Sequence, residues 1–219
     1  EGWRYMQEML PVVRGLWQGD VEHNGEFWQF PSATSCPKPL QPEVPVWVAA
    51  RSPITYDYAL REKCNIMCWP LTRGFDEAEL YKNHLDKAIE KANNGFRPTF
   101  AMMRHAAVYD NHDDREEAIR AIQTVLGQFE NLFRNMDDVY NGFPQKIPLD
   151  ELQSREQYQP DMLEENLLFG SPDTVIEKLK RYEALGVDEF IYYASMGMDM
   201  VAQKRSMKLF CDEVIPAFQ

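Results

Sequence analysis

The sequence predicts an α/β fold built on a parallel sheet, with the strand and helix pattern of half a TIM-type barrel. Two observations carry that reading. Short apolar strands alternate with amphipathic helices, the pattern of parallel strands joined by right-handed crossovers. No glycine-rich dinucleotide fingerprint follows any strand, which speaks against a Rossmann arrangement. A full barrel needs eight strands and about 250 residues. This chain has 219 residues and four such strands, which fits the second half of a barrel.

The elements follow in order. Trp3, Met6, Leu10, Val13 and Trp17 recur at helical spacing, so a helix is expected over 2–17, with Pro11 expected to kink it. Glu22 to Phe30, with Asn24-Gly25 at its centre, reads as a hairpin. Pro31 to Pro45 is proline-rich and polar and is expected to run extended. Four strands are expected at Val46–Ala50, Asn65–Trp69, Thr99–Tyr109 and Phe190–Ala194. Helices are expected over 53–63, 76–93, 114–136 and 200–210, and one that starts at Gly170-Ser171-Pro172-Asp173 and closes at Gly186. Ser171 is its expected N-cap. Residues 137–168 lack periodicity and read as a lid or insertion within a single domain spanning 1–219.

Composition excludes whole classes of partner. The formal net charge of −12 argues against nucleic acid or an anionic membrane as a partner. No apolar run approaches the roughly 18 residues that a membrane span requires. The chain begins EGWRYM, with neither an initiator Met nor a signal peptide. The expectation is a cytoplasmic protein, here as a fragment or processed product. Cys64 and Cys68 have no His or second Cys pair nearby, so free thiols are expected and a zinc site is not.

The stretch that invites chemistry is PVWVAARSPIT, Pro45 to Thr55. A buried strand runs into Ser52, then Pro53 where the first helical turn accepts it, then Thr55. A helix N-terminus with two hydroxyls suits an anion such as phosphate. The same pattern also fits an ordinary strand-to-helix turn whose Ser caps the helix. Arg51 could face that anion or pair at the surface. Arg104 and His105 alternate across their strand, so one of the two is expected to point into the barrel. A histidine whose hydrogen bonds are satisfied in the core is the plainer reading of His105. Asp110 and His112 lie on the loop that follows. Ser195-Met196-Gly197 follows the last strand, where barrels often hold phosphate. Met196, Met198 and Met200 read as core or pocket wall, not as metal ligands.

Several blocks together resemble the bacterial luciferase-like flavin monooxygenases: GLWQGDVEHNGEFWQF, CPKPLQPEVPVWVAARSPITYDYA, NIMCWPL, GSPDTVIEKLKRYEALGVDEFI and SMKLFCDEVIPAF. The resemblance implies a TIM barrel in which Ala49 and Ala50 leave room beside a flavin. It further implies that Ser52 and Thr55 hold the FMN phosphate and that Trp69 lines the flavin or substrate pocket. It implies an enzyme that uses reduced FMN, supplied by a separate flavin reductase, and O2 to oxidise a small organic substrate. Two alternatives stay open: F420-dependent hydride transfer, and a flavin-binding or subunit fragment without turnover. The residues that match the family's first half-barrel are absent, so no catalytic base is assigned. The partner expected is a missing N-terminal half-barrel or a second copy of the chain.

Overall fold

A computed structural model of the protein describes residues 2–134, 139–144, 146–194 and 196–219. The chain divides into two compact units, Glu1–Pro45 and Val46–Gln219.

The first unit is a helix, α1 (Gly2–Gln18), and an antiparallel hairpin of β1 (Val21–Asn24) and β2 (Gln29–Ala33). Pro11 sits inside α1, which is helical from end to end. The unit turns on Glu8. Its carboxylate accepts the backbone N–H groups of Glu26, Phe27 and Trp28 at 3.1, 3.0 and 3.0 Å and meets His23 Nε2 at 2.9 Å. Burial pushes the Glu8 carboxyl up, but the bonds from His23, Trp28 and Phe27 outweigh it and hold it below the usual carboxylate range. At the other end of α1, Lys38 Nζ donates to the carbonyls of Leu16 at 2.7 Å and Gly19 at 2.9 Å. A cation there satisfies carbonyls that the helix leaves unpaired.

The second unit begins with β3 (Trp47–Ala49), α2 (Pro53–Arg61), β4 (Asn65–Cys68), α3 (Phe75–Ala92), β5 (Phe100–Val108) and α4 (His112–Arg134). A short hairpin of β6 (Val139–Tyr140) and β7 (Phe143–Pro144) follows, then α5 (Leu149–Ser154), α6 (Pro160–Asn166) and β8 (Leu168–Gly170). The chain closes with α7 (Pro172–Leu185), β9 (Glu189–Tyr193) and α8 (Met200–Leu209). All four expected strands are present and parallel. β4 lies between β3 and β5, and β5 pairs with β9 over Ala101–His105.

Period-2 alternation sorts these strands into two faces. Val48, Ile66, Cys68, Phe100 and Met102 are buried on one face, and the register aligns Val48 with Ile66, and Ile66 and Cys68 with Phe100 and Met102. Helices cover this face: the Tyr56 hydroxyl of α2 lies 3.0 Å from Cys68 Sγ. Ala106 and Val108 join a cluster with Val175 and Leu179 of α7 and with Val214. The opposite face carries Trp47, Ala49, Met67, Ala101 and Met103. Trp47 is 38% exposed there. Among the described residues β3 pairs only with β4, and β9 only with β5.

Residues 137–168 hold more regular structure than their aperiodic sequence suggests. Positions 135–138 and 145 lie outside the described residues. The helices of this segment are short, and a helix of one or two turns has too few residues to show a period. Leu152 of α5, Tyr158 and Leu163 of α6 are fully buried against Ile119, Ile122 and Leu126 of α4. β8 was not expected. It pairs in parallel with Ala106–Val108, beyond the residues that β4 reaches. The α7 start is as expected: Ser171 Oγ accepts the Thr174 N–H at 3.3 Å, Pro172 opens the helix, and Gly186 closes it at φ 90°.

The α4–α5 contact rests on Gly127. A Cβ there would come within 2.4 Å of the Leu152 side chain, which is itself fully buried. Gly127→Ala should therefore destabilise the protein by about 1–3 kcal/mol, despite Ala being the better helix former by about 1 kcal/mol. Urea unfolding of the variant checks this. A variant as stable as the parent or more so would show that Leu152 can move aside.

Candidate functional site

β3 ends at Ala49, and α2 starts four residues later with Pro53 at its first turn. Ser52 has the extended backbone of an N-cap (φ −111°, ψ 150°), yet its side chain makes no capping bond to the helix. Its carbonyl accepts the Thr55 N–H at 2.9 Å. Its hydroxyl lies 3.1 Å from the Thr55 hydroxyl. The plain capping role is thus not the one the structure shows. Two hydroxyls sit side by side at the positive end of a helix, at the C-terminal end of a parallel strand. Such a place favours an anion.

The neighbours of this turn divide by face. Ala49 is exposed on the sheet face away from the helices. Ala50 is fully buried. Its N–H donates to Met67 O at 3.0 Å, and its carbonyl accepts the Cys68 thiol at 3.1 Å. Only Ala49 of this pair therefore leaves side-chain room on the open face. Burial pushes the Cys68 thiol up to about 12, which makes it inert at neutral pH. Arg51 Nε donates to the Tyr81 hydroxyl at 3.3 Å, so neither a surface ion pair nor an anion is needed to place it.

Further along the same face the strand ends gather aromatic rings. Trp69 follows β4, His105 lies in β5 and Tyr193 ends β9. The register sets His105 directly opposite Tyr193. Their rings stack at 4.4 Å with planes 23° apart. Trp69 meets His105 at 5.5 Å and Tyr193 at 5.9 Å edge-on, and Phe129 of α4 at 5.3 Å with planes tilted by 46°. His105 is 1% exposed. Neither of its ring nitrogens, nor Trp69 Nε1, has a hydrogen-bond partner among the described residues. The satisfied core histidine expected from the sequence is therefore not what the structure contains.

Arg104 takes the other face. Its Nη2 donates to Arg73 O at 2.7 Å and to Asn166 O at the end of α6. Lys178 of α7 reaches the same corner, with Nζ donating to the carbonyls of Leu167 at 2.9 Å and Phe169 at 3.1 Å. Burial pushes the Lys178 ammonium down to about 8. Both cations are structural, holding the α6–β8 corner by its carbonyls.

The remaining candidates stand apart. His112 is exposed, 3.8 Å from Asp113 and 3.9 Å from Glu116. Asp110 is exposed and accepts from Asn111 at 3.1 Å. Met196 and Met198 pack into the cluster with α4, whereas Met200 is exposed. Ser195 lies outside the described residues. Among the described residues no group of His, Cys, Asp or Glu is gathered so as to hold a metal ion, and no helix is long and apolar enough to cross a membrane. All four cysteines are free. Sequence reasoning missed Tyr193 and the grouping of the three rings. The signal that would have found them is strand register, which no single stretch of sequence carries.

Known proteins share this architecture. A family model described as luciferase-like monooxygenase matches residues 1–189. A flavin-dependent trigonelline monooxygenase, oxygenase component, from Acinetobacter baylyi is 37% identical over 214 residues, covering 97% of this chain and 59% of that protein. An F420-dependent glucose-6-phosphate dehydrogenase from Gordonia bronchialis is 26% identical over 220 residues, covering 96% of this chain and 59% of that protein. Among solved structures, the monooxygenase RslO1 from Streptomyces bottropensis superposes with a TM-score of 0.67 at 22% identity, covering 97% of this chain and 60% of that one. The chain thus spans about 59% of the length of these curated relatives.

His105 makes a measurable prediction. Burial, and then the adjacent Arg104 charge, push its imidazole from 6.5 down to about 4. Between those values the unfolded chain takes up a proton that the folded chain refuses, so this residue erodes stability as pH falls from about 6.5 to about 4. His105→Phe should lose less stability than the parent across that window. Urea unfolding at several pH values measures the difference, and parallel pH profiles would contradict it.

Proposed function

The chain belongs to the luciferase-like monooxygenase family, and on that premise we propose that it forms the cofactor-phosphate side of a flavin-dependent monooxygenase site. The observation that carries this reading is the uncapped hydroxyl pair of Ser52 and Thr55, 3.1 Å apart at the start of α2. The residues fit FMN. The hydroxyls and the helix N-terminus suit its phosphate, the small exposed Ala49 leaves space beside the strand, and Trp69 offers an aromatic wall for its ring. When bound, reduced flavin supplies the electrons that let O2 oxidise a small organic substrate. The protein's part is to orient that ring, exclude water and hold the phosphate. No residue is assigned as catalytic base.

The Acinetobacter relative is named an oxygenase component, which supports a separate flavin reductase as the source of reduced FMN here. The Gordonia relative keeps F420-dependent hydride transfer as the second reading. F420 also carries a phosphate, so the turn serves either cofactor, and the spectrum of the bound cofactor distinguishes them. A third reading, a flavin-binding fragment without turnover, is decided by assay with reduced FMN and oxygen. The open edges of β3 and β9 and the exposed Trp47 support a partner that completes the sheet, either an N-terminal half-barrel or a second copy.

Ser52→Ala and Thr55→Val should each weaken FMN binding about ten- to a hundredfold, since a hydrogen bond to a charged group contributes about 1.5–3 kcal/mol. Riboflavin, which lacks the phosphate, should bind both variants as it binds the parent. Fluorescence titration measures both, and unchanged FMN affinity in both variants would remove the phosphate assignment.

The 137–168 segment is proposed as the lid over the site. Its exposed hairpin, with Tyr140 79% and Phe143 73% exposed, supplies apolar surface for closing on a substrate, while α5 and α6 are anchored on α4. Limited proteolysis should cut first near the hairpin, more slowly with flavin and substrate present. Equal resistance with and without ligand would count against a lid. For the partner, light scattering with mass spectrometry should find a particle larger than one 25.6 kDa chain, holding either a companion fragment or a second copy. A monodisperse monomer that unfolds cooperatively would show the partner unnecessary.

A further inference from the structure

The aromatic cluster asks for a ligand in its own right. A buried polar side chain with no hydrogen bond is costly, and native proteins rarely tolerate one without a purpose. Three such atoms meet here: among the described residues, both nitrogens of His105 and Nε1 of Trp69 have no hydrogen-bond partner. They lie on the sheet face opposite Arg104, at the C-terminal strand ends where barrel sites form, with Phe129 of α4 packed against Trp69. With its proton affinity depressed by burial, the imidazole stays neutral at physiological pH. It then presents one N–H donor and one lone pair. The rings over it, Trp69 and Tyr193, are only partly buried, so the wall they form reaches solvent. Stacking surfaces with a donor and an acceptor at their base match a flat ring with a hydrogen-bonding edge.

We infer that Trp69, His105 and Tyr193 form a recognition wall for a flat aromatic ring, which stacks on the wall and bonds through its polar edge to His105. This deepens the flavin-site reading and rests on it. The ring is either the isoalloxazine of the cofactor or an aromatic substrate beside it, since both share this chemistry. His105 is a positioning residue under the first source and a specificity-determining one under the second.

Three probes separate the cases, applied to the protein as purified with any barrel partner it retains: riboflavin, FMN and nicotinamide. His105→Phe keeps a stacking ring without its hydrogen bonds, and His105→Gln keeps a donor and an acceptor without the ring. If the wall holds the cofactor, the Phe variant loses about tenfold in affinity for riboflavin and FMN alike, and the Gln variant recovers most of it. If it holds substrate, flavin binding is unchanged and nicotinamide affinity falls about tenfold, again with recovery by Gln. A Phe variant that binds all three probes as the parent does overturns the proposal, as does a Gln variant as impaired as the Phe variant.

Nitrogen-15 NMR of His105 in the parent protein tests the same contact without a variant. Its imidazole signals should shift on adding riboflavin or nicotinamide, and signals indifferent to both probes overturn the wall. Failure of the phosphate reading is distinguishable, because Ser52→Ala and Thr55→Val would then leave FMN binding untouched while the His105 results stand.

Discussion

The second unit depends on one constraint: β5 is nine residues long and buried on both of its faces. A strand in that position must place a side chain acceptable to the helix layer and one acceptable to the inner face, in strict alternation. It also carries the pairing of three others, β4 and β9 near its start and β8 at its end. A slip of one residue would exchange Arg104 with His105 and turn the guanidinium onto the aromatic wall. The ring cluster keeps its place only in this register.

The cost of that alternation is visible at Arg104. Its guanidinium is fully buried, with Nε and Nη1 lacking a hydrogen-bond partner among the described residues. The groups that do meet it are the carbonyls of Arg73 and Asn166. Burial pushes its pKa down, yet arginine stays charged because its intrinsic value is so high. The guanidinium thus becomes a fixed positive charge against the C-terminal end of α6, where a helix favours cations. Lys178 adds a second at the same corner. On the far side of α6, Glu164 accepts two bonds from Arg115 at 2.7 Å each and one from the Tyr109 hydroxyl. The short helix is therefore fixed at its end and along its side by polar groups on three other elements. That suits an anchored base better than a flexible loop.

The candidate site combines two kinds of preorganisation. At the β3–α2 turn the useful groups are backbone geometry and two hydroxyls released from capping, a matter of local chain. At the ring cluster they come from three strands at once. In the proposed reading, with phosphate on the turn and ring on the wall, binding energy from one end of a cofactor would position the other.

Much of this was legible in the sequence. The four strands, the order of helices, the Ser171–Pro172 start and Gly186 stop of α7, and the hydroxyls at Ser52 and Thr55 are all local signals. Period, capping chemistry and turn residues act within a few positions, so they survive reading one residue after another. The family blocks told of cofactor chemistry by resemblance, and Trp69 came from the same source. What the sequence left open was non-local. Whether Arg104 or His105 faces inward depends on which residue of β5 lies beside Met67 and which beside Glu189. The helices of 149–166 were hidden because their order comes from burial against α4, and β8 because three residues have no readable period. Tyr193 became a site residue only through its pairing opposite His105. Tertiary structure decided these points because side-chain direction in a sheet is set by register, and register is a property of two strands at once.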